Sequence, residues 1–455
     1  MESVLTDCPH REKLGWLEQT HLMGSALNYD FDLERLYNKL ENDMADAQKP
    51  DGEVPTIAPQ YTVFSQQWNV FNDSPEWGSA AVLDPWIVYR RYGDLEDLRG
   101  HYAMMRGYVD YLTSRSRHGI VDYGLGDWYD LGPKPPGFAQ LTSRALTATA
   151  VYYQDIVAVA ATAHLLGDKA EEQRMDALRD YVGKSFQQRF YHPDQHFYDR
   201  DSQTANAMPL VLGLTPLQDR GAVLQHLIAD IRAHNNHMTA GDIGFHYVVD
   251  ALQDNGAQGV MLDMLLRTDS PSYGYQLLQG ATSLTEAWNA SPHSSQDHFM
   301  LGDAEEWFFA GMGGIRIDFS RDAEHAIVIH PAMLPRIASA DVSYRSVKGT
   351  IRVAWRHQQG QAILDVTVPP NTTATVILPA AVESDVREGA GPALRAQGVT
   401  FVRMDGKSPV YRVVSGRYQF SFPSSRSAVR TEPATVAVHP KVNNSLQVVS
   451  TYRNS

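Results

Sequence analysis

The sequence predicts a mainly α-helical protein that ends in an antiparallel β domain. Two periodicities point to this fold class. Up to about residue 313 apolar residues recur at helical spacing, and after about residue 314 they alternate with polar residues as in strands. In addition, the helical segments are often separated by very short breaks, which typically join antiparallel helix pairs.

The helical part divides into about a dozen segments, each with an apolar face. The first is expected over 11–29, and the second, over 31–48, stops at the "KPDG" of 49–52. Two-residue "GD" breaks at 93–94 and 167–168 separate later segments. The apolar face of the second segment consists of Leu33, Leu36, Tyr37, Leu40 and Met44.

Six helix pairs can close into a ring that has an inner and an outer layer of helices. An open helical array is the alternative, although the chain shows no fixed sequence period. In a closed ring the first and last pairs are neighbours. Side chains from the two ends of the helical region can then face one central cleft.

The β domain is expected over 314–424, after a helical domain over 1–313, and a polar tail is expected over 425–455. Its strands alternate apolar and polar residues and turn at "QQGQ", which predicts an antiparallel β-sandwich. The alternating apolar residues on either side of this turn are Ile351, Val353, Trp355, Leu364, Val366 and Val368.

Composition and charge exclude several function classes. A formal net charge of −14 argues against a nucleic-acid partner, which is bound through clustered Lys and Arg. A single cysteine excludes an internal disulfide and a cysteine-based zinc site. There is no apolar run long enough to span a membrane and no signal-peptide pattern at the start. A soluble cytoplasmic or periplasmic protein is therefore expected.

Long loops rich in aromatic residues interrupt the helices, and in them carboxylates stand beside tryptophans. Glycoside hydrolysis uses this combination, because one carboxylic acid protonates the leaving oxygen, a second carboxylate activates water, and apolar walls hold the ring. The structural alternative is that these tryptophans are core and that Asp7 only caps the first helix. The pairs are Glu12 with Trp16, Glu76 with Trp77, Asp127 with Trp128, and Glu286 with Trp288.

Six stretches resemble, in chain order, the catalytic domain of bacterial α-L-rhamnosidases of glycoside hydrolase family 78. They are "DCPHREKLGW", "GEVPTIAPQY", "PEWGSA", "LGDWYDLG", "TSLTEAW" and "SQDHFMLGD". The resemblance runs from about residue 5 to about residue 380. It implies an (α/α)6 toroid, or six-hairpin barrel, followed by a small β-sandwich. It also implies exo-acting, inverting release of terminal α-L-rhamnose from glycosides or polysaccharides, without a metal or other cofactor.

The resemblance also assigns roles to residues. Glu12 matches the general acid and Glu286 the general base, with the two carboxyl groups expected roughly 6.5–9.5 Å apart so that a water fits between them. The residues implied to hold sugar hydroxyls or pack on the ring are Asp7, Arg11, Asp127, Trp16, Trp77, Trp128, Trp288 and His298.

The chain departs from the family pattern at three places. Gln19 and Ser79 stand where many members have Asp, so a sugar-binding carboxylate is expected to be missing at each. Family members also carry β domains before the ring, so the first residues are expected to be an active-site segment exposed by truncation or by a misassigned start. A catalytically impaired sugar-binding remnant stays open, as does another (α/α)6 enzyme such as a lyase or an unsaturated glucuronyl hydrolase. The sequence predicts neither the aglycone nor the oligomeric state.

Overall fold

A computed structural model of the chain describes residues 3–379 and 381–424, and the predicted polar tail over 425–455 lies outside them. The helical region is mainly α and contains strands only as one short hairpin, β1 (Tyr191–His192) with β2 (Phe197–Tyr198). Its helices are α1 Glu18–Asp30, α2 Glu34–Ala47, α3 Pro75–Gly78, α4 Ala80–Tyr92, α5 Leu95–Arg115, α6 Arg144–Leu166, α7 Lys169–Phe190, α8 Gln203–Val211, α9 Arg220–Ala233, α10 Asp242–Asp254, α11 Gln258–Leu265, α12 Tyr273–Leu278 and α13 Ala304–Glu306, with 3₁₀ turns at Gln66–Phe71 and Phe299–Leu301 and a π-helical turn at Trp307–Met312.

The short "GD" breaks end one helix and begin the next, as their chemistry requires. Gly167 closes α6 with a φ of 77°, a left-handed conformation that suits glycine. The Asp168 side chain then accepts the backbone N–H of Glu171 and caps α7. Asp94 caps α5 in the same way, so the predicted helix boundaries at these breaks are confirmed.

The expectation of a first helix over 11–29 is wrong, because α1 begins only at Glu18. The preceding residues form a tight turn in which the backbone N–H groups of Arg11, Glu12 and Lys13 all point at the Cys8 carbonyl. Isolated β-bridges join Asp7 to Leu14 and Trp16 to Ile57. Asp7 therefore does not cap a helix, and Glu12 lies on a turn.

The chain forms two compact units. The helical unit comprises the chain up to Ala26 together with Asp32–Tyr89 and Asp94–Ala304. The second unit comprises Leu27–Phe31, Arg90–Gly93 and the described residues from Glu305 onward, so that it includes the ends of α1 and α4 besides the strands. The domain limits proposed from sequence, at 313 and 424, stay predictions.

Nine strands of the second unit join into one hydrogen-bonded sheet. The main path runs β3-β4-β7-β11-β8-β9, with β5 and β6 added to β7, and β10 added to β11. The pairs are antiparallel, as predicted, except for β4 with β7, which is parallel. The strands are β3 Ile315–Ile317, β4 Ile327–Ile329, β5 Ser339–Ser346, β6 Gly349–Gln358, β7 Gln361–Ile377, β8 Arg387–Glu388, β9 Gly391–Pro392, β10 Val399–Asp405 and β11 Ser408–Pro423.

The predicted hairpin of this sheet forms in the expected register. Val353 pairs with Val366, and Trp355 pairs with Leu364, so that the alternating apolar residues share one buried face. Gly360, with a φ of 78°, makes the turn between β6 and β7. The Trp355 indole N–H donates to the Met312 carbonyl oxygen at 2.8 Å, which satisfies its polar atom inside the core.

Among the helices of residues 3–379 and 381–424, none combines the length and apolar character that crossing a membrane requires.

Candidate active site

The N-terminal turn is fixed to the last long loop of the helical unit through Asp7 and His298. One carboxylate oxygen of Asp7, Oδ1, accepts the Cys8 backbone N–H at 2.7 Å and the His298 Nδ1–H at 2.7 Å. All three residues are buried. A turn near one end of the chain and a loop almost 300 residues later are thereby held in one place.

Two further buried carboxyl groups stand around this pair. Asp242, the first residue of α10, places Oδ2 3.4 Å from His298 Nε2. Burial would lower the pKa of His298, but the charges of Asp7 and Asp242 outweigh it and raise that pKa well above its usual value. Burial, with Asp7 and Asp242 nearby, raises the pKa of Glu18 well above its usual value. These surroundings therefore favour the charged form of His298 and the neutral form of Glu18.

Arg11 joins the two carboxylates that the sequence singled out. Its Nη2 lies 2.9 Å from Glu12 Oε1 and 3.5 Å from Glu286 Oε2. Because both contacts end on one nitrogen, Glu12 Oε1 and Glu286 Oε2 are no farther apart than the two contact distances taken together. The expected meeting of the first and last parts of the helical region is confirmed, since Arg11 and Glu286 are 275 residues apart in sequence.

The two carboxylates have different surroundings. The Glu12 side chain is 32% exposed, and its Oε2 accepts the Trp16 indole N–H at 3.0 Å. The Glu286 side chain is only 8% exposed, and its Oε2 accepts the Ser295 backbone N–H at 2.8 Å. Glu12 is thus accessible to a group that enters from solvent, whereas Glu286 is almost completely enclosed by protein.

A cluster of aromatic rings continues from Trp16. Its ring stacks on Phe64 with the centroids 5.6 Å apart, and Phe71 contacts it edge-on at 6.2 Å. Phe71 in turn lies 5.4 Å from Trp128, which is half-buried and packs edge-on against Phe138. Trp16 and Trp128 therefore belong to one aromatic wall, and the sugar packing implied for them stays a prediction.

Asp127 is buried beneath this wall. Its Oδ2 accepts the Thr204 hydroxyl at 2.5 Å, and its Oδ1 accepts the Gly244 backbone N–H at 2.8 Å. Burial raises the pKa of Asp127 to about 7, and Asp130 adds to the rise, although both donors oppose it. In this geometry Asp127 braces the loop against α8 and α10. The sugar contact implied for it stays a prediction.

The structure does not bring the other two tryptophans into this wall. Trp77 is 2% exposed on the short helix α3. Trp288 is equally buried and packs against Phe245 and Tyr273, at 5.6 and 5.1 Å between ring centroids. Each can therefore offer a substrate only a small part of its ring.

The two residues that depart from the family pattern, Gln19 and Ser79, are also fully buried. The Gln19 side-chain amide donates to the Leu5 carbonyl at 2.9 Å, and the Ser79 hydroxyl donates to Asp155 at 2.7 Å. Both side chains thus make interior hydrogen bonds.

Two groups of the described residues place three potential metal-ligating atoms within 4.8 Å of one another. They are Asp7, Cys8 and His298, and Glu41, Asp97 and His101. In the first group His298 Nδ1 is bonded to Asp7, and burial raises the pKa of the Cys8 thiol, which disfavours the thiolate that metals bind. Its arrangement suits a hydrogen-bonded cluster better than a metal centre.

Residues 1–312 match the bacterial alpha-L-rhamnosidase 6 hairpin glycosidase domain, and residues 314–391 match the bacterial alpha-L-rhamnosidase C-terminal domain. The chain belongs to the bacterial α-L-rhamnosidase family. Its helical region is therefore the six-hairpin, (α/α)6 toroid of that family, followed by its β domain, as the sequence predicts.

Individual α-L-rhamnosidases are similar over nearly the whole chain. An α-L-rhamnosidase from Streptomyces avermitilis is 29% identical over 439 residues, which are 92% of this chain and 39% of that protein. The α-L-rhamnosidase structure from Dictyoglumus thermophilum superposes with a TM-score of 0.83 at 28% identity and covers 93% of this chain and 48% of that one. The S. avermitilis enzyme complexed with L-rhamnose gives a TM-score of 0.81 at 28% identity, covering 92% and 39%. The chain thus spans less than half the length of these α-L-rhamnosidases.

Sequence reasoning missed several residues of this rhamnosidase-family site. Glu18 and Asp242 were read only as parts of helices. Tyr129 follows Trp128, and burial, with the charge of Glu286 adding to it, raises the pKa of its hydroxyl. The "GDIG" stretch at 241–244 was a signal for Asp242, because two glycines around one acid at a helix start indicate close backbone approach.

Proposed function

We propose that this chain is an exo-acting, inverting α-L-rhamnosidase in which Glu12 is the general acid and Glu286 the general base. The observation that carries the proposal is the Arg11 bridge, in which one guanidinium nitrogen lies 2.9 Å from Glu12 and 3.5 Å from Glu286, beside Trp16 of the aromatic wall. The L-rhamnose complex of the S. avermitilis relative supports the choice of sugar.

In the proposed reaction Glu12 gives its proton to the glycosidic oxygen while the bond from that oxygen to the anomeric carbon breaks. Glu286 takes a proton from a water that attacks the anomeric carbon from the opposite face. The products are the free alcohol and L-rhamnose with inverted configuration. Asp7, held by His298, and Arg11 are proposed to bind sugar hydroxyls, and Trp16 and Trp128 to pack on the ring.

The first experiment follows hydrolysis of 4-nitrophenyl α-L-rhamnopyranoside by proton NMR from the earliest time points. We expect release of L-rhamnose whose first-formed anomer is β, because a single displacement inverts the α configuration. An α anomer formed first would contradict the assignment of Glu286 as base. Binding of L-rhamnose without turnover would favour the sugar-binding remnant.

A second experiment tests the role of Glu12 through the leaving group. In Glu12→Gln we expect kcat to fall about 10²- to 10⁴-fold for a rhamnoside with an alkyl leaving group, which needs protonation. The fall should be much smaller for the 2,4-dinitrophenyl rhamnoside, whose leaving group departs without a proton. Equal losses on both substrates would show that Glu12 does not act as the acid.

A further inference from the structure

The imidazole of His298 lies between two carboxylates that come from different parts of the helical unit. Asp7 on the N-terminal turn receives its Nδ1–H at 2.7 Å, and Asp242 at the start of α10 faces its Nε2 at 3.4 Å. The exposed fractions are 2% for His298, 4% for Asp7 and 0% for Asp242. Neither Asp242 carboxylate oxygen accepts a hydrogen bond from another described residue. The positive charge of the His298 imidazole is therefore the charge that stabilises the Asp242 carboxylate.

Several other titratable groups around the imidazole are acids, and His298 is the cation among them. Glu18 at the start of α1 is close enough to interact with both aspartates, and Cys8 lies beside Asp7. Glu286 adds a further negative charge near Asp242. Burial raises the pKa of Asp242 to about 6, although the charge of His298 opposes that rise. Near neutral pH Asp242 is therefore mostly ionised, and the raised pKa of His298 favours the charged form of the imidazole that it faces.

The backbone of Asp242 is fixed to the aromatic wall. Its N–H donates to the Trp128 carbonyl at 2.7 Å. The preceding Gly241 approaches so closely that a Cβ there would lie 2.1 Å from the same carbonyl oxygen. The start of α10 thus aligns the Trp128 loop and the His298 imidazole together.

We propose that Asp242 is a positioning residue that keeps His298 charged and thereby holds Asp7 oriented toward the substrate, an inference that rests on the proposed function. A hydrogen bond from a charged imidazole is shorter and stronger than one from a neutral imidazole. Asp242 itself need not touch the sugar. Its effect on the reaction passes through His298 to Asp7.

The test compares the pH dependence of kcat/KM for Asp242→Asn and for the control Glu96→Gln. The proposal requires a protonated His298, so kcat/KM should fall as pH rises through the pKa of His298. Asp242→Asn removes one of the two charges that raise this pKa, so the alkaline limb should move about one pH unit or more lower, about tenfold in kcat/KM above the limb. Glu96→Gln should keep the wild-type limb, because the Glu96 side chain is 81% exposed on α5, outside the proposed site.

An alkaline limb of Asp242→Asn that matches wild type would overturn the proposal, as would a limb that moves equally in Glu96→Gln. If Asp242→Asn does not fold, a measurement that does not depend on turnover still tests the proposal. In wild-type protein with ¹⁵N-labelled histidine, the His298 signal, assigned by its loss in His298→Asn, should show both nitrogens protonated at pH 7.5. A neutral His298 there overturns the inference. A charged His298 in a protein that releases no rhamnose would instead count against the proposed function alone.

Discussion

Replacing Glu286 with glutamine is expected to lower kcat for an α-L-rhamnoside by about 10²- to 10⁴-fold, the range that a positioned general base contributes. An amide cannot take a proton from water. Its carbonyl oxygen can still accept the Ser295 N–H that now binds Glu286 Oε2 at 2.8 Å. The variant should therefore fold and bind sugar, and its loss should be chemical.

Initial rates on 4-nitrophenyl α-L-rhamnopyranoside, with binding of L-rhamnose followed by calorimetry, test this expectation. A matched control is Glu96→Gln, because the Glu96 side chain is 81% exposed and lies far along the sequence from every proposed site residue. The control should keep the wild-type rate. A Glu286→Gln enzyme that turns over within tenfold of wild type would remove Glu286 from the mechanism.

Local chemistry made much of this fold predictable. "GD" breaks supply a left-handed glycine and a capping carboxylate. The end of α6 at Gly167 and the start of α7 after Asp168 can therefore be predicted from these two residues alone. The period-two alternation around "QQGQ" sets which residues of β6 and β7 are buried. The parallel contact of β4 with β7 could not be read in this way, because pairing across a long connection leaves no local pattern.

The turn over residues 8–13 shows where local reasoning fails. Arg11, Glu12 and Lys13 fit a helical pattern that continues into α1. In the structure the Cys8 carbonyl collects their N–H groups, and both Cys8 and Lys13 have positive φ. Contacts with His298 and Glu286, far away in sequence, accompany this turn and place its side chains. Tertiary contacts thus override the local preference at the candidate site.

The buried charges of the site were equally hidden from the sequence. An acid at the first position of a helix is ordinary, since it favours the helix dipole, so Asp242 carried no sign of its contact with His298. The family resemblance implies a sugar contact for Asp127, which stays a prediction. Nothing in the sequence indicated that its carboxylate accepts hydrogen bonds from Thr204 and Gly244. The sequence reported which residue types were present, but the partner of each carboxylate depends on packing.

Replacing Gly244 with alanine is expected to destabilise the helical unit by about 1–3 kcal/mol, the usual cost of overpacking a core. A Cβ at this position would lie 1.9 Å from Thr204 Oγ1 and 2.8 Å from Asp127 Oδ2. Thr204 is buried and β-branched, so its side chain has few rotamers to move into. Relief requires separation of α8 from α10, which also weakens the bonds that hold Asp127.

Gly100→Ala is the matched control, because Gly100 lies inside α5 and a Cβ there meets nothing within 4 Å. This substitution should stabilise the protein by about 0.4–1 kcal/mol, since it reduces the freedom of the unfolded chain without a clash. Thermal and urea unfolding of the two variants should therefore move in opposite directions. Equal midpoints would mean that α8 and α10 adjust freely around Gly244. In that case Asp127 could not be the rigid brace beneath the aromatic wall.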